Sequence, residues 1–337
     1  MAFLLFRPLG RVFLGVLVLV VIAFAWFALQ VDPLFAGKGR EVVITVHQGD
    51  TLSTVAGELH AEGVIASPFA FRLESLVLGS PVVRAGSYEL REGSSFSTVR
   101  SVLSHGPNIV VVNATPGLTL HEIAVNVASS RGVDFANRFA KDATADVTHS
   151  PYAQGSSLEG LIGAGTYLVE PSTTAQQLAT EMVKGFEHEA ASVGLTPTTT
   201  LNGLDAYELI TAASIVEKEG YYPFNMPKVA RVIFNRLARG GPLQMDSTVL
   251  YYFGQDGGTV TPAMLRTQTP YNTYLNTGLT PTPICTVSAI ALHAVLHAPA
   301  GSWLYFEVIN QHGDEAFATT FAQQLKNEAL AKRRGLG

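Results

Sequence analysis

Two carboxylates that close an apolar stretch are the groups in this chain best suited to acid–base chemistry. Residues 207–220 read YELITAASIVEKEG, with Leu209, Ile210, Ala213 and Val216 spaced as one buried helix face and Glu217 and Glu219 at its end. Two positions along a helix is about 200° of rotation, so the two glutamates cannot both face one cleft. A carboxyl at the end of an apolar helix loses solvation. Its pKa then rises, which suits it to donate a proton near neutral pH. The same Glu-Lys-Glu also reads as a solvated last turn carrying surface charge.

Polar groups that could surround such an acid follow in sequence. Gln244, Asp246 and Thr248 crowd ahead of the apolar run VLYYFG, where Asp246 is expected to cap a helix through Thr248 and Val249. In the Pro-rich stretch 270–284, Tyr271, Asn272, Thr273 and Tyr274 put aromatic faces beside amide and hydroxyl groups. Sugars bind through that combination, and a plain turn uses the same residues. Other chemistries are poorly supported. His293 and His297 are four apart, but Ala294 stands where a zinc-protease helix carries Glu, so no metal site is expected. Ser214 and Lys218 are four apart where the penicillin-recognising motif needs three. Gly160, Gly163 and Gly165 make no dinucleotide fingerprint and no P-loop is present, so no cofactor is expected.

The elements that must position these residues read as an α+β chain. Its 337 residues are 47% apolar and 15% charged, which excludes a disordered chain and allows two domains. Lys+Arg number 22 against 27 Asp+Glu, so no basic excess exists to hold a phosphate backbone and nucleic acid is not an expected partner. The single Cys285 excludes an intrachain disulfide framework. Val12 to Leu29 is uncharged and spans about 27 Å as a helix, close to a bilayer core. Arg7 and Arg11 precede it and Trp26 and Phe27 sit at its outer end, so a membrane span with its amino terminus inside is expected. The alternative is a signal peptide cleaved at Ala23-Phe24-Ala25, although such apolar cores run about 7–15 residues. Residues 32–40 read as a linker. Strands are expected at 41–46 and 84–90. Helices should open at Asp50 or Thr51, at Ser67-Pro68 and near Phe96, the last ending at Gly106. A second cycle begins with the strand 109–112 and a helix capped by Thr119 over 120–127. Loop follows at 141–156, then helical spacing through Leu178, Met182 and Phe186.

The opening Val-x-x-Gly-Asp-Thr-Leu-x-x-Val-Ala at 46–56 resembles the LysM type of glycan-binding module. Downstream, ASIVEKE, KVARVIFNRL, LQMDSTVLYYFG, PYNTYLNTGLTPTPI and WLYF occur in order. Together they resemble the YceG/MltG-like endolytic murein transglycosylases over residues 40–325, and SLEGLIGAGTY at 157–167 is similar to that family's Glu-Gly-x-x-x-Pro-Asp-Thr-Tyr. The resemblance implies residues 1–31 as cytoplasmic stub and transmembrane helix, 41–106 as a LysM-like module, and 107–330 as a mixed α/β catalytic domain richer in helix. It implies Glu219 as the catalytic acid, with Glu217 as rival. Gln244, Asp246, Thr248, Tyr271, Asn272 and Tyr274 would line a glycan cleft.

The implied reaction is nonhydrolytic cleavage of the β-1,4 bond between N-acetylmuramic acid and N-acetylglucosamine. It leaves 1,6-anhydromuramyl ends and terminates elongation of nascent peptidoglycan strands. The implied place is the wall side of the cell membrane beside the synthases. A hydrolytic muramidase using Asp246 as a second carboxylate, or a non-catalytic wall-binding scaffold, are the alternatives. The chain departs from the family pattern at Gly163-Ala164-Gly165, at Ser247 where Pro is usual, at Glu315 near a common His, and at Gln323-Gln324 near a common Glu-His pair.

Overall fold

A computed structural model describes residues 6–34, 36–220 and 222–336, the side chains of 6–12 excepted. The chain divides into two compact units: Met1–Val110 with Leu168–Ser172, and Val111–Tyr167 with Thr173–Gly337. The boundary lies a few residues beyond the Gly106 expected from sequence, and five later residues return to the first unit.

The first unit opens with α1 (Phe6–Val31). Its stretch Phe13–Val31 has a mean hydropathy of 2.6 and is long and apolar enough to cross a membrane. Then follow β1 (Glu41–Val46), α2 (Leu52–Ala61), α3 (Pro68–Leu78), β2 (Gly86–Arg91) and α4 (Phe96–His105). β1 and β2 pair antiparallel from Glu41↔Arg91 to Val46↔Gly86. Alternation along β1 buries Val42, Ile44 and Val46 on one face, where they meet Val55 and Leu59 of α2, Phe71 of α3 and Phe96 and Leu103 of α4. Phe71 and Phe96 meet edge to face at 5.2 Å. Thr51, Ser67 and Ser95 each cap their helix by accepting a backbone N–H three residues on. Asp50 instead closes the preceding turn through the His47 N–H. The expected linker is tied down: Gly37 donates to the Gly93 carbonyl and Arg40 pairs with Glu92 at 2.9 Å.

The second unit is richer in helix. Its elements are α5 (Leu120–Arg131), α6 (Val133–Asp142), α7 (Ala175–Ser192), α8 (Ala206–Glu219), α9 (Met226–Ala238), α10 (Asp246–Tyr252), α11 (Pro262–Arg266), α12 (Ala289–Leu296) and α13 (Phe321–Arg333). A two-stranded sheet joins β3 (Val110–Ala114) to β4 (Gly165–Val169), and an antiparallel hairpin joins β5 (Tyr305–Val308) to β6 (Glu315–Ala318). The second helix of the 120–142 stretch was not expected. α6 forms because Phe135, Ala136 and Phe139 recur on one face and pack against α5 and α7. The organising element is α8, buried from Leu209 to Val216 and sheathed by α9, α10 and α12.

Candidate active site

Asp205 starts α8 with a capping box: its carboxylate accepts the Glu208 N–H at 3.0 Å while Glu208 accepts the Asp205 N–H at 2.9 Å. The helix runs apolar to Val216, and its last turn then reaches a cavity of about 740 Å³. The cavity walls are residues 115–119 and 121–122, Glu159, residues 217–219, segments of 246–258, and Ile284. Glu217, Lys218 and Glu219 all border it, so the two glutamates share a cleft that helix spacing was expected to deny them, but their side chains meet different partners.

Glu219 turns toward the start of α10. Its Oε1 accepts both the Ser247 hydroxyl at 2.6 Å and the Ser247 backbone N–H at 3.1 Å. Burial raises its pKa, the Ser247 bonds pull it back, the Asp246 charge pushes it up again, and the Arg236 guanidinium opposes that push. Arg236 is fixed by donating from Nε to the Leu304 carbonyl at 2.7 Å and from Nη1 to the Leu243 carbonyl. Both Ser247 bonds fall on one carboxylate oxygen, Oε1, and leave Oε2 free to hold a proton.

Glu217 is held in the same manner by a different serine, away from Asp246 and Arg236. Its Oε2 accepts the Ser288 N–H at 2.9 Å and the Ser288 hydroxyl at 2.6 Å, and Ser288 caps α12. Glu217→Ala is therefore expected to destabilise the fold by about 1–2 kcal/mol, read as a lower urea midpoint, because the first turn of α12 loses its anchor. Lys218 closes one side of the cavity through an ion pair with Asp256 and a 3.2 Å bond to the Gly117 carbonyl.

The residues expected to meet glycan fall into three groups. Asp246 is exposed on the cavity wall and accepts the Tyr274 hydroxyl at 2.6 Å. It does not cap α10, whose N-cap position is Met245. Tyr274 thus touches the site through Asp246, and burial followed by that bond raises its phenol pKa. Gln244 and Tyr271 lie off the cavity wall. Gln244 is exposed with its backbone in the left-handed region, at φ 51°. The Tyr271 hydroxyl meets Thr282 at 2.9 Å. Thr248 and Asn272 do not line the cleft at all, contrary to expectation. Both are fully buried. Thr248 bonds the Met245 carbonyl at 2.7 Å and Thr273 at 2.9 Å. Asn272 donates to the carbonyls of Leu265 at 3.0 Å and Thr267 at 2.9 Å and accepts the Tyr274 N–H at 3.1 Å. A loop set without strands must satisfy its buried backbone groups somehow, and these side chains do so.

Two carboxylates were missed. Glu159 is only 6% exposed, on the cavity wall, and accepts the Leu120 N–H at 2.9 Å and the Tyr251 hydroxyl at 3.1 Å. Burial pushes its pKa up to about 7. The sequence signal was a charge inside the apolar run Leu158–Ile162. Glu315, on β6, has both carboxylate oxygens buried without a hydrogen-bond partner. Burial and the charge of Glu219 push its pKa up to about 8. A carboxyl with a raised folded-state pKa lends stability that is full below its unfolded value and is lost as pH rises through the folded one. Glu315→Gln should therefore shrink the fall in unfolding free energy between about pH 5 and pH 8 by about 1–3 kcal/mol, measured by urea titration at both pH values. His293 and His297 are exposed with ring centroids 4.2 Å apart, and among the described residues no group of three or more His, Cys, Asp or Glu is arranged to hold a metal.

The endolytic murein transglycosylase of Bacillus subtilis strain 168 is 28% identical over 323 residues, 90% of this chain and 88% of that protein. The protein of the same name from Streptococcus pneumoniae D39 is 26% identical over 333 residues, 88% of this chain and 59% of that longer one. The 2.6 Å crystal structure of a yceG-like protein from Listeria monocytogenes matches with a TM-score of 0.53 at 25% identity, over 86% of this chain and 99% of that one. A model of the YceG-like family matches residues 44–330, so the chain belongs to the YceG-like family.

Proposed function

We propose that this chain is a peptidoglycan lytic transglycosylase with Glu219 as its single acid–base group. The observation that carries the reading is a partly buried carboxyl at a cavity wall, held on one oxygen by two Ser247 donors and raised in pKa by burial. Protonated Glu219 donates to the glycosidic oxygen between N-acetylmuramic acid and N-acetylglucosamine as the C1–O bond breaks. The resulting carboxylate takes the proton of the muramyl 6-hydroxyl while that oxygen attacks C1. The ring closes to a 1,6-anhydro end, no water enters, and Glu219 is protonated again. One carboxyl suffices because the nucleophile belongs to the substrate. Asp246, held by Tyr274, presents negative charge beside the positive charge that develops at C1. Its presence also favours a hydrolase as the second reading, since hydrolysis ordinarily uses two carboxyls.

α1 would anchor the chain with its amino terminus in the cytoplasm, and residues 41–106 would serve as a LysM-like glycan-binding module. The catalytic part, residues 107–330, would then cut nascent strands on the wall side, ending their elongation beside the synthases. Relatives carrying the name endolytic murein transglycosylase support this reading. The test is the full chain on un-crosslinked nascent glycan, with strand length read by chromatography. Internal cuts that shorten every strand are expected. Strand binding without shortening would mean a scaffold.

Ser247 sets where the acid titrates. Hydrogen bonds to a carboxylate favour its charged form, so Ser247→Ala, which removes the hydroxyl donor, should raise the Glu219 pKa further. The alkaline limb of the pH–rate profile then moves to higher pH, and an unmoved limb would separate Ser247 from the acid.

A further inference from the structure

α3 presents two opposite faces. One holds Ala70 and Phe71 and is buried in the core of the first unit. The other is a stripe of Phe69, Leu73, Leu76 and Val77, spaced i, i+4, i+7 and i+8, and it points to solvent. Leu76 is 82% exposed and Val77 78%. Leu78 and Val82, just beyond, are 66% exposed. A groove of about 420 Å³ runs along the stripe, floored by Leu52, Phe69, Leu73 and Leu76, with Arg72 and Ser80 at its edge. A soluble unit of this size seldom leaves so many large apolar side chains uncovered in one place, and such patches mark contact surfaces.

The position of α1 says what covers it. α1 is not tethered by a free linker: Phe27 and Val31, in its last turns, pack against the core of the first unit, and α1 touches both α3 and α4. The stripe thus belongs to a helix that packs against α1, whose last turns are built into the same unit. Leu34, three residues past the span, is 82% exposed as well. We infer that the outer stripe of α3 lies in the lipid surface, its leucines and valines sunk into the boundary between headgroups and acyl chains beside α1. The inference rests on the reading of α1 as a membrane span. An amphipathic face of this kind sinks about 5–10 Å into that boundary. The consequence is that the first unit is held by two contacts, a span and an interfacial helix. It therefore cannot swing freely about the end of α1.

The test uses the full chain in vesicles of phosphatidylcholine and phosphatidylglycerol. Cys285 is buried, so cysteines placed at exposed positions can be spin-labelled selectively. Labels go to Leu76→Cys, Val77→Cys, Val20→Cys within α1, and Val43→Cys on the outer face of β1. Each is read by its relative accessibility to oxygen and to a water-soluble nickel chelate. The expected result is an oxygen-to-nickel ratio several-fold higher at 76 and 77 than at 43, approaching the ratio at 20. Equal ratios at 76, 77 and 43, with a high ratio at 20, would overturn the interfacial contact and leave the anchor standing. A low ratio at 20 would overturn the anchor and the contact together. Spin–spin broadening at 76 that disappears on dilution with unlabelled chain would show a second copy on the stripe and overturn the lipid assignment.

Discussion

Glu219→Gln is expected to slow glycan cleavage by about 10²–10⁴-fold, the usual weight of a positioned acid–base group, while making the folded chain more stable at pH 8. The two effects have one cause. Burial penalises the charged form of Glu219, so above its folded-state pKa the ionised side chain costs stability that a neutral amide of the same volume does not. Gln can still accept the Ser247 hydroxyl and N–H through its amide oxygen, so the start of α10 stays in place. It has no proton to give to a leaving oxygen. Kinetics on nascent glycan, with urea midpoints at pH 8, check both halves. Glu217→Gln is the control: it keeps an acceptor for Ser288 and should leave the rate within a few-fold of the parent.

The largest loss of stability is expected from Gly163→Ala. The backbone at Gly163 runs against α7, donating to the Met182 carbonyl at 2.8 Å and accepting the Tyr167 hydroxyl at 2.7 Å. A Cβ there would stand 2.4 Å from the Phe186 nitrogen and 2.5 Å from the Gly185 carbonyl carbon. Both are helix backbone, so no side chain can rotate aside. Overpacking of this kind should cost about 3 kcal/mol, or roughly 10 °C in melting temperature. Gly165→Ala makes the contrast. Its nearest neighbour would be Tyr167 at 3.6 Å, ordinary contact, and its melting temperature should stay close to that of the parent. An aromatic side chain at Gly163 would need α7 to sit elsewhere. The same threading carries Glu159 to the cavity wall: Gly160 has φ 75°, and a Cβ on it would meet Pro283 at 2.3 Å.

Local chemistry was legible in the sequence where it repeats with the period of an element or sits at an element's end. The apolar face of α8, its terminal glutamates, and the caps at Thr51, Ser67 and Thr119 are of that kind, since each depends on residues within a turn of itself. What divides Glu217 from Glu219 is not local. Their partners, Ser288 and Ser247, lie 71 and 28 residues away. Spacing alone suggested that the two could not share a cleft, yet both border the cavity, each with one oxygen held by its own serine. Thr248 and Asn272 carry groups that bind sugars as readily as they bind backbone, and only the packing of the 264–276 loop shows that its own carbonyls consume Asn272. Glu159 is marked only by the apolar run around it, and Glu315 follows the polar stretch 310–314, so nothing within a few residues of it marks its burial.

The central claim, a single carboxyl that cleaves glycan without water, is tested most directly by the chemical nature of the new ends. The full chain would be incubated with un-crosslinked glycan beside its Glu219→Gln and Asp246→Asn variants, and the products weighed by mass spectrometry. The expected products are 1,6-anhydromuramyl ends that disappear with Glu219→Gln and persist, more slowly formed, with Asp246→Asn. Reducing muramyl ends, heavier by one water and lost with either variant, would contradict the account and assign the chain a hydrolase mechanism built on both carboxyls.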